Sequence, residues 1–192
     1  EILMSQFTLT ALRSSLDRHD VRVSDPDGFM PAAVMILLYE KDGEYCVLLN
    51  KRSELVEHHK GEMSFPGGAK DPTDMDFLDT ALRETEEEMG ISRSDITVLG
   101  QLDDIITRSD FVVKVYVGTI PYPYKFHPSE IEIAEVVEAP INHLLDPQNI
   151  RYESRWTNGE SITTVSYAYQ DYLVFGATAK ILQQLLNVVE EG

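Results

Sequence analysis

The stretch of sequence that decides the fold runs from Gly67 to Ile91 and reads GGAKDPTDMDFLDTALRETEEEMGI. It contains a Gly-Gly turn, an acidic loop and a segment with helical periodicity that ends on Gly90. At about 100° per residue, Glu84, Glu87 and Glu88 share one narrow face of this predicted helix. Like charges at such spacing destabilise a helix, so the pattern indicates a cation bound to the three carboxylates.

An apolar stripe lies beside these carboxylates on the same predicted helix. It is formed by Leu78, Ala81, Leu82, the methyl group of Thr85, and Met89. The helix can therefore pack on a sheet while its carboxylates face a cleft. A solvated acidic face is the alternative interpretation, and the pattern REXXEE alone does not decide between the two.

With FPGG before it and MGI closing it, the segment resembles the Nudix box, G-x5-E-x7-R-E-U-x-E-E-x-G-U. The matching positions are Arg83, Glu84, Glu87, Glu88, Gly90 and Ile91. Thr85 replaces an apolar residue, and Met75, between Asp74 and Asp76, replaces the upstream Glu. The resemblance implies an α/β fold, the Nudix α/β/α sandwich with a mixed sheet between helices.

The resemblance also implies a divalent-metal site for Mg²⁺ or Mn²⁺, which are hard ions that prefer oxygen ligands. We assign Glu84, Glu87 and Glu88 as ligands, with the backbone carbonyl of Gly68 as a further one in the family pattern. In the family, Arg83 orients a ligand glutamate and Gly90 is the left-handed cap of the helix. Gly67 and Gly68 permit close backbone approach to metal and substrate phosphate, although a tight turn alone would also explain them.

A second resemblance covers Val47 to Gly68, VLLNKRSELVEHHKGEMSFPGG. It is similar to the signature that precedes the Nudix box in coenzyme A pyrophosphatases, roughly LLTxRSxxLRxHxGExxFPGG. FGATAKIL, residues 175–182, resembles the WGATA helix start of the same subfamily. Arg52 and His59 are candidate phosphate-binding residues, with a surface ion pair as the alternative for Arg52. Glu57 stands where the signature has Arg, which weakens the case for coenzyme A but not for pyrophosphate chemistry.

The catalytic base is predicted from a third segment, HPSEIEIAEVVEAPI at residues 127–141. It resembles EVAEVxEVPL, a stretch that carries such acids in many Nudix enzymes. Alignment on Pro140 selects Glu132, with Glu130 second and the box residue Glu87 as a rival. Both loop glutamates are equally compatible with solvated acids at a strand edge. Aromatic residues that could stack on a base, although core packing is their expected use, are Trp156, Tyr152, Tyr167 and Tyr169.

Composition restricts the partners and the compartment. The 192 residues carry a formal charge of -17, which argues against nucleic acid and anionic membranes as partners. The single cysteine, Cys46, cannot form an internal disulfide and is expected to be a buried strand residue. Since no apolar run of membrane-spanning length occurs either, we expect a cytoplasmic location or the soluble content of an organelle. A homodimer is compatible with the sequence.

The chain is expected to form one domain, with an N-terminal helical arm at 1–30 and a Nudix hydrolase domain at 31–192. Helices are predicted at Phe7–Arg18, in the box, and at Gly176–Glu190. Predicted strands are Ala32–Tyr39, Tyr45–Lys51, Glu62–Phe65, Ile96–Leu102, Phe111–Ile120, Ala134–Ala139 and Ser161–Tyr169.

The sequence therefore predicts a metal-dependent pyrophosphohydrolase with a small-molecule nucleotide substrate. The resemblance favours coenzyme A or its derivatives, cleaved to 3′,5′-ADP and a 4′-phosphopantetheine species. Two alternatives stay open. An ADP-ribose or dinucleotide pyrophosphatase is favoured by Glu57, and a non-catalytic nucleotide sensor is disfavoured by the intact carboxylate cluster.

Overall fold

A computed structural model describes residues 7–25, 27–157 and 159–191, so that positions 1–6 of the predicted arm lie outside the described residues. Its helices are α1 Leu9–Arg18, α2 Phe77–Met89, α3 Ile141–Leu145 and α4 Gly176–Glu191. Its strands are β1 Met30–Lys41, β2 Glu44–Arg52, β3 Met63–Ser64, β4 Gly67–Ala69, β5 Thr97–Ile106, β6 Phe111–Thr119, β7 Ile133–Pro140, β8 Ile150–Thr157, β9 Glu160–Tyr169 and β10 Tyr172–Val174.

Seven strands form one mixed sheet in which β1 pairs parallel with β6, while the other pairs are antiparallel. On the edge of β1 that faces away from β6, two strands pair with it: β4 pairs with Ala32–Val34, and β2 pairs with Leu38–Lys41. Strand β2 then leaves β1 after Val47 and continues beside β3 and β7. This divergence leaves room for the Gly67–Gly68 backbone at the edge of β1.

Helices cover both faces of this sheet, because the side chains of β1 alternate between two apolar clusters. Met35 and Leu37 belong to the cluster that includes Ala81 and Met89 of α2. Ile36 and Leu38 point to the other cluster, which contains residues of α1 and α4. The predicted α/β/α sandwich with a mixed sheet is therefore confirmed.

The N-terminal helix α1 packs on the sheet through Leu12 and Leu16, which are buried. Asp103 of β5 fixes the segment after it, since its Oδ1 lies 2.8 Å from His19 Nε2 and accepts the Arg22 amide at 2.9 Å. The predicted helix is confirmed, and the division at residue 30 stays a prediction. Within the described ranges, every helix is too short or too polar to span a bilayer.

A second, three-stranded sheet, in the order β10-β9-β8, differs from the sequence expectation in its strands and in the exposure of its aromatic residues. Strands β8 and β10 are absent from the predicted set, because β8 carries charged residues that interrupt any core pattern and β10 has only three residues. Core packing was the wrong expectation for Tyr152 and Trp156, which are 64% and 76% exposed, whereas Tyr167 is buried. Cys46 is buried in β2, as predicted, and the cytoplasmic location stays a prediction.

Candidate active site

Helix α2 has a side-chain cap at its start and a left-handed glycine at its end. The Asp76 carboxylate caps its start by accepting the Asp79 amide at 2.8 Å. The helix ends at Gly90, whose φ of 65° is left-handed. A Cβ at Gly90 would lie 2.6 Å from the Cβ of His127, so glycine is required for space as well as for conformation.

The three box carboxylates share a face but differ greatly in burial. The exposed fraction of the side chain is 57% for Glu87, 17% for Glu84 and 3% for Glu88. Glu88 Oε2 accepts hydrogen bonds from the Gly67 amide at 3.1 Å and from Asn50 Nδ2 at 3.3 Å. Glu88 is thus the inner group of the cluster, and Glu87 is the outer one.

The two glycines after Pro66 lie in close contact with their surroundings. A Cβ on Gly67 would lie 2.4 Å from the Ala33 carbonyl oxygen, so the backbone there excludes any other residue. A Cβ on Gly68 would lie 2.6 Å from the carboxyl carbon of Glu84, so a larger residue would displace that side chain. The backbone at Gly68 therefore contacts a proposed ligand carboxylate directly, and the ligand role of its carbonyl stays a prediction.

Arg83 links the cluster to the acidic loop. Its Nη1 donates to Glu84 Oε1 at 2.8 Å and to Glu87 Oε2 at 3.1 Å. On the other side, its Nε and Nη2 donate to the two oxygens of Asp74 at 2.8 and 3.0 Å. Asp74 also accepts from Thr80 Oγ1 and the Asp71 amide, each at 2.8 Å. Asp74 therefore fixes the position of Arg83, and Arg83 in turn fixes Glu84 and Glu87.

Sequence reasoning did not assign Asp74 a role. Counting back from Arg83 places the upstream acid of the box at Met75, which is 87% exposed and apolar. Counting forward from Gly68 by the same G-x5-E spacing gives Asp74 instead. A second missed residue, Asn50, is fully buried within β2. A polar side chain in the middle of an apolar strand was the available signal for it.

Arg52, a predicted substrate-binding residue, lies at the inner end of the cluster. Its Nη1 is 3.7 Å from Glu88 Oε1. Its Nε is buried and has no hydrogen-bond partner among the described residues. A buried guanidinium donor without an acceptor fits an anionic oxygen entering the cleft.

Glu132, the predicted base, lies on the loop before β7, and backbone hydrogen bonds connect this loop to the segment after β2 and to α2. Its carbonyl accepts the Ser53 amide at 2.7 Å, and its own amide donates to the Ser129 carbonyl at 3.1 Å. The Ser129 amide donates to the Glu88 carbonyl at 2.8 Å, which joins this loop to α2. Burial is the main cause that raises the pKa of Glu84 and of Glu88, and the negative charge of Glu132 makes a smaller contribution in the same direction to both.

His59, the other predicted phosphate-binding residue, contacts Glu62 and none of the three box carboxylates. It is exposed on the loop between β2 and β3, and its Nδ1 lies 3.0 Å from Glu62 Oε2. Glu57 and Glu130 are exposed as well. The contact of His59 with substrate phosphate stays a prediction.

The electrostatics of the cluster fit a bound cation. Burial raises the pKa of Glu88 to about 7, against the opposing effects of the Gly67 amide and Arg52. Burial also raises the pKa of Glu84, although Arg83 opposes it. In the described ranges, no three acidic, histidine or cysteine side chains are already arranged around one metal position. The donor set of carboxylates with a nearby backbone carbonyl nevertheless fits Mg²⁺ or Mn²⁺.

The sequence of this chain is similar to that of known proteins. Residues 29–162 match the sequence model of the NUDIX domain. The Nudix hydrolase NudL of Photorhabdus laumondii is 35% identical over 144 residues, covering 75% of this chain and 77% of that protein. Nudix hydrolase 15, mitochondrial, of Arabidopsis thaliana is 36% identical over 176 residues, which cover 87% of this chain and 62% of that protein.

Among solved structures, the MutT/nudix family protein from Enterococcus faecalis has a similar fold, with a TM-score of 0.59. The match covers 97% of this chain and 71% of that chain at 19% sequence identity. The domain match spans more than half of this sequence, and it includes the helix that carries the carboxylates. The chain belongs to the Nudix hydrolase family.

Proposed function

We propose that this chain is a metal-dependent pyrophosphohydrolase that cleaves the diphosphate linkage of coenzyme A or its derivatives. The products are 3′,5′-ADP and a 4′-phosphopantetheine species. One observation carries the hydrolytic part of the proposal. Buried Glu88 is held between the Gly67 amide and Arg52, while Glu84 and Glu132 add negative charge beside it.

A pyrophosphate linkage resists attack because its negative oxygens repel an incoming nucleophile. Mg²⁺ or Mn²⁺ held by Glu84, Glu87, Glu88 and the Gly68 carbonyl would neutralise those oxygens and acidify water. Arg83 keeps two of these carboxylates in place, and Arg52 has a buried donor, without a partner among the described residues, that is available for a phosphate oxygen. The cluster therefore provides both metal-binding and anion-binding groups.

We assign the catalytic base to Glu132 in preference to Glu87. Glu87 is the most exposed of the box carboxylates, and Arg83 already donates a hydrogen bond to it. Glu132 is partly buried, and backbone hydrogen bonds on both sides fix its loop. Its charge acts on both Glu84 and Glu88, as expected for a carboxylate at the same cleft. Glu132 can take the proton of the attacking water there.

The preference for coenzyme A rests on the Val47–Gly68 signature and on where its loop begins. Arg52 starts the loop beside Glu88, and Gly61 closes it by donating its amide to the Arg52 carbonyl at 3.1 Å. His58, His59 and Lys60 are exposed on this loop, so that an ammonium group and two imidazole hydrogen-bond donors are available for a phosphate. The exposed Glu57 on the same loop favours the alternative, an ADP-ribose or dinucleotide pyrophosphatase.

We predict that kcat/KM for coenzyme A exceeds that for ADP-ribose, because the signature loop can bind the extra 3′-phosphate. Glu57→Arg should widen this difference by roughly fivefold, through KM, since reversing one exposed charge close to the substrate is worth on the order of 1 kcal/mol. The measurement is steady-state kinetics with Mg²⁺ and with Mn²⁺, in which chromatography separates the products.

Glu54→Arg is the matched control, because Glu54 is also an exposed glutamate of this loop. If ADP-ribose is the better substrate of the unmodified protein, the coenzyme A assignment fails and the Nudix assignment stands. If neither substrate nor any dinucleotide is hydrolysed with either metal, the nucleotide-sensor alternative is preferred.

A further inference from the structure

Strands β8 and β9 form a hairpin whose outer part is exposed on both faces. Residues 151–156 and 160–163 are all exposed, although they lie in regular antiparallel pairs. The order of the small sheet is β10-β9-β8, so the outer edge of β8 has no strand beside it within the described parts of the chain. A regular edge strand that carries exposed aromatic residues is a template for pairing with another strand.

The sequence of β8 is self-complementary about Ser154. Glu153 and Arg155 flank this serine, and the next residues outward are Tyr152 and Trp156. In an antiparallel pair of two such strands centred on Ser154, each Glu153 lies opposite the partner's Arg155, and each Tyr152 lies opposite the partner's Trp156. Opposite charges and paired aromatic rings are both favourable cross-strand neighbours.

The backbone of β8 is oriented for such pairing. The Glu153 carbonyl accepts a hydrogen bond from Thr164 Oγ1 at 3.3 Å, so it points toward β9. Backbone groups of successive strand residues point to opposite edges, and those of Tyr152, Ser154 and Trp156 therefore point outward. These outward groups are the ones that a second strand centred on Ser154 would bind.

The distribution of charge favours self-association through the β8 edge over the rest of the surface. The whole chain has a formal charge of -17, so two copies repel one another over most of their surface. The charged residues of the hairpin balance, with Arg151 and Arg155 against Glu153 and Glu160. Two copies can approach here without adding to the general repulsion.

We propose that β8 pairs antiparallel with β8 of a second copy of this chain, about a two-fold axis at Ser154. The small sheets of the two copies then form one continuous six-stranded sheet. The contact area is small, so the homodimer is expected to depend on concentration.

Sedimentation velocity across a concentration series tests this pairing. Glu153→Arg places cation opposite cation, and Arg155→Glu places anion opposite anion. Each should weaken dimerisation by about tenfold or more, although the two variants shift the net charge in opposite directions. An equimolar mixture of the two variants should dimerise like the unmodified protein, because each strand then complements the other. The double variant Glu153→Arg/Arg155→Glu should also dimerise.

The mixture experiment separates loss of pairing from loss of folding, because misfolded chains would not recover on mixing. Arg108→Glu is the control for net charge and should leave dimerisation unchanged, since Arg108 is exposed outside the hairpin. Trp156 is the single tryptophan of the chain, so its emission should shift to the blue as the dimer forms. A monomer at every concentration, or a mixture that stays monomeric, would overturn the proposal.

Discussion

Glu88→Gln is expected to lower kcat at least about a hundredfold while leaving the fold intact. Glutamine keeps the size of the side chain and its contacts with the Gly67 amide but removes the buried negative charge. Losing one anionic group of a metal site costs several kcal/mol in the activation barrier, and about 1.4 kcal/mol corresponds to a factor of ten. Glu87→Gln is also expected to abolish turnover, because it removes another anionic group of the proposed metal site.

The measurement is turnover at saturating Mg²⁺, with circular dichroism as the check on folding. Glu86→Gln is the matched control, because Glu86 belongs to the same helix but is exposed and pairs with Arg93 at 3.3 Å. Activity of Glu88→Gln above about a tenth of the unmodified protein would contradict the metal assignment. The solvated acidic face would then be the better interpretation of the carboxylates.

Asp74→Asn is expected to destabilise the protein by about 3 kcal/mol and also to lower kcat. Asp74 is buried and accepts two hydrogen bonds from Arg83, so the change removes the buried carboxylate that binds this guanidinium most closely and leaves only Glu84 and Glu87 to pair with it. The freed Arg83 no longer fixes Glu84 and Glu87, and kcat falls for that reason. Urea unfolding and steady-state kinetics on the same samples measure the two effects.

The effect on stability should depend on pH. Hydrogen bonds from Arg83 hold the pKa of Asp74 well below its usual range. The stabilisation is therefore complete above about pH 4 and is lost as the pH falls toward the folded-state pKa. The stability difference between Asp74→Asn and the unmodified protein should narrow between pH 7 and pH 3. A constant difference would mean that the ion pair is not its source.

Asp71→Asn is the matched control, because Asp71 lies in the same loop but its carboxylate accepts hydrogen bonds only from Thr73 among the described residues. We expect a much smaller loss of stability than for Asp74→Asn, because Asp71 is exposed. An equal loss in both variants would indicate a general effect on the loop.

Local patterns were sufficient to predict the helix that carries the site. Helical periodicity places Glu84, Glu87 and Glu88 on one face and the apolar residues on an adjoining one, and both depend only on spacing along α2. The alternation of β1 between two covered faces likewise follows from its continuous apolar run. These features need no knowledge of distant contacts.

The features that were not predicted depend on contacts between distant segments. Glu88 is buried because β4 brings the Gly67 amide against it. The sequence of β4 is only Gly-Gly-Ala, which has no pattern that predicts a strand. The partner of Arg83 depends on the path of the acidic loop, because counting back from Arg83 gives Met75, whereas Asp74 is the residue that accepts its hydrogen bonds. The exposure of Tyr152 and Trp156 arises because β8 and β9 extend beyond the residues that could cover them.

The melting temperature with and without divalent metal tests the central claim most directly. A cation that binds only the folded cluster stabilises the protein by about 2.7 kcal/mol at a hundred times its Kd. That corresponds to a rise of roughly 5–10 °C for a chain of this size. We predict this rise with Mg²⁺ or Mn²⁺, beyond that of monovalent salt at equal ionic strength, and its loss in Glu88→Gln. A melting temperature that millimolar Mg²⁺ and Mn²⁺ leave unchanged, or that monovalent salt raises equally, would contradict the metal site and indicate general screening of the negative charge.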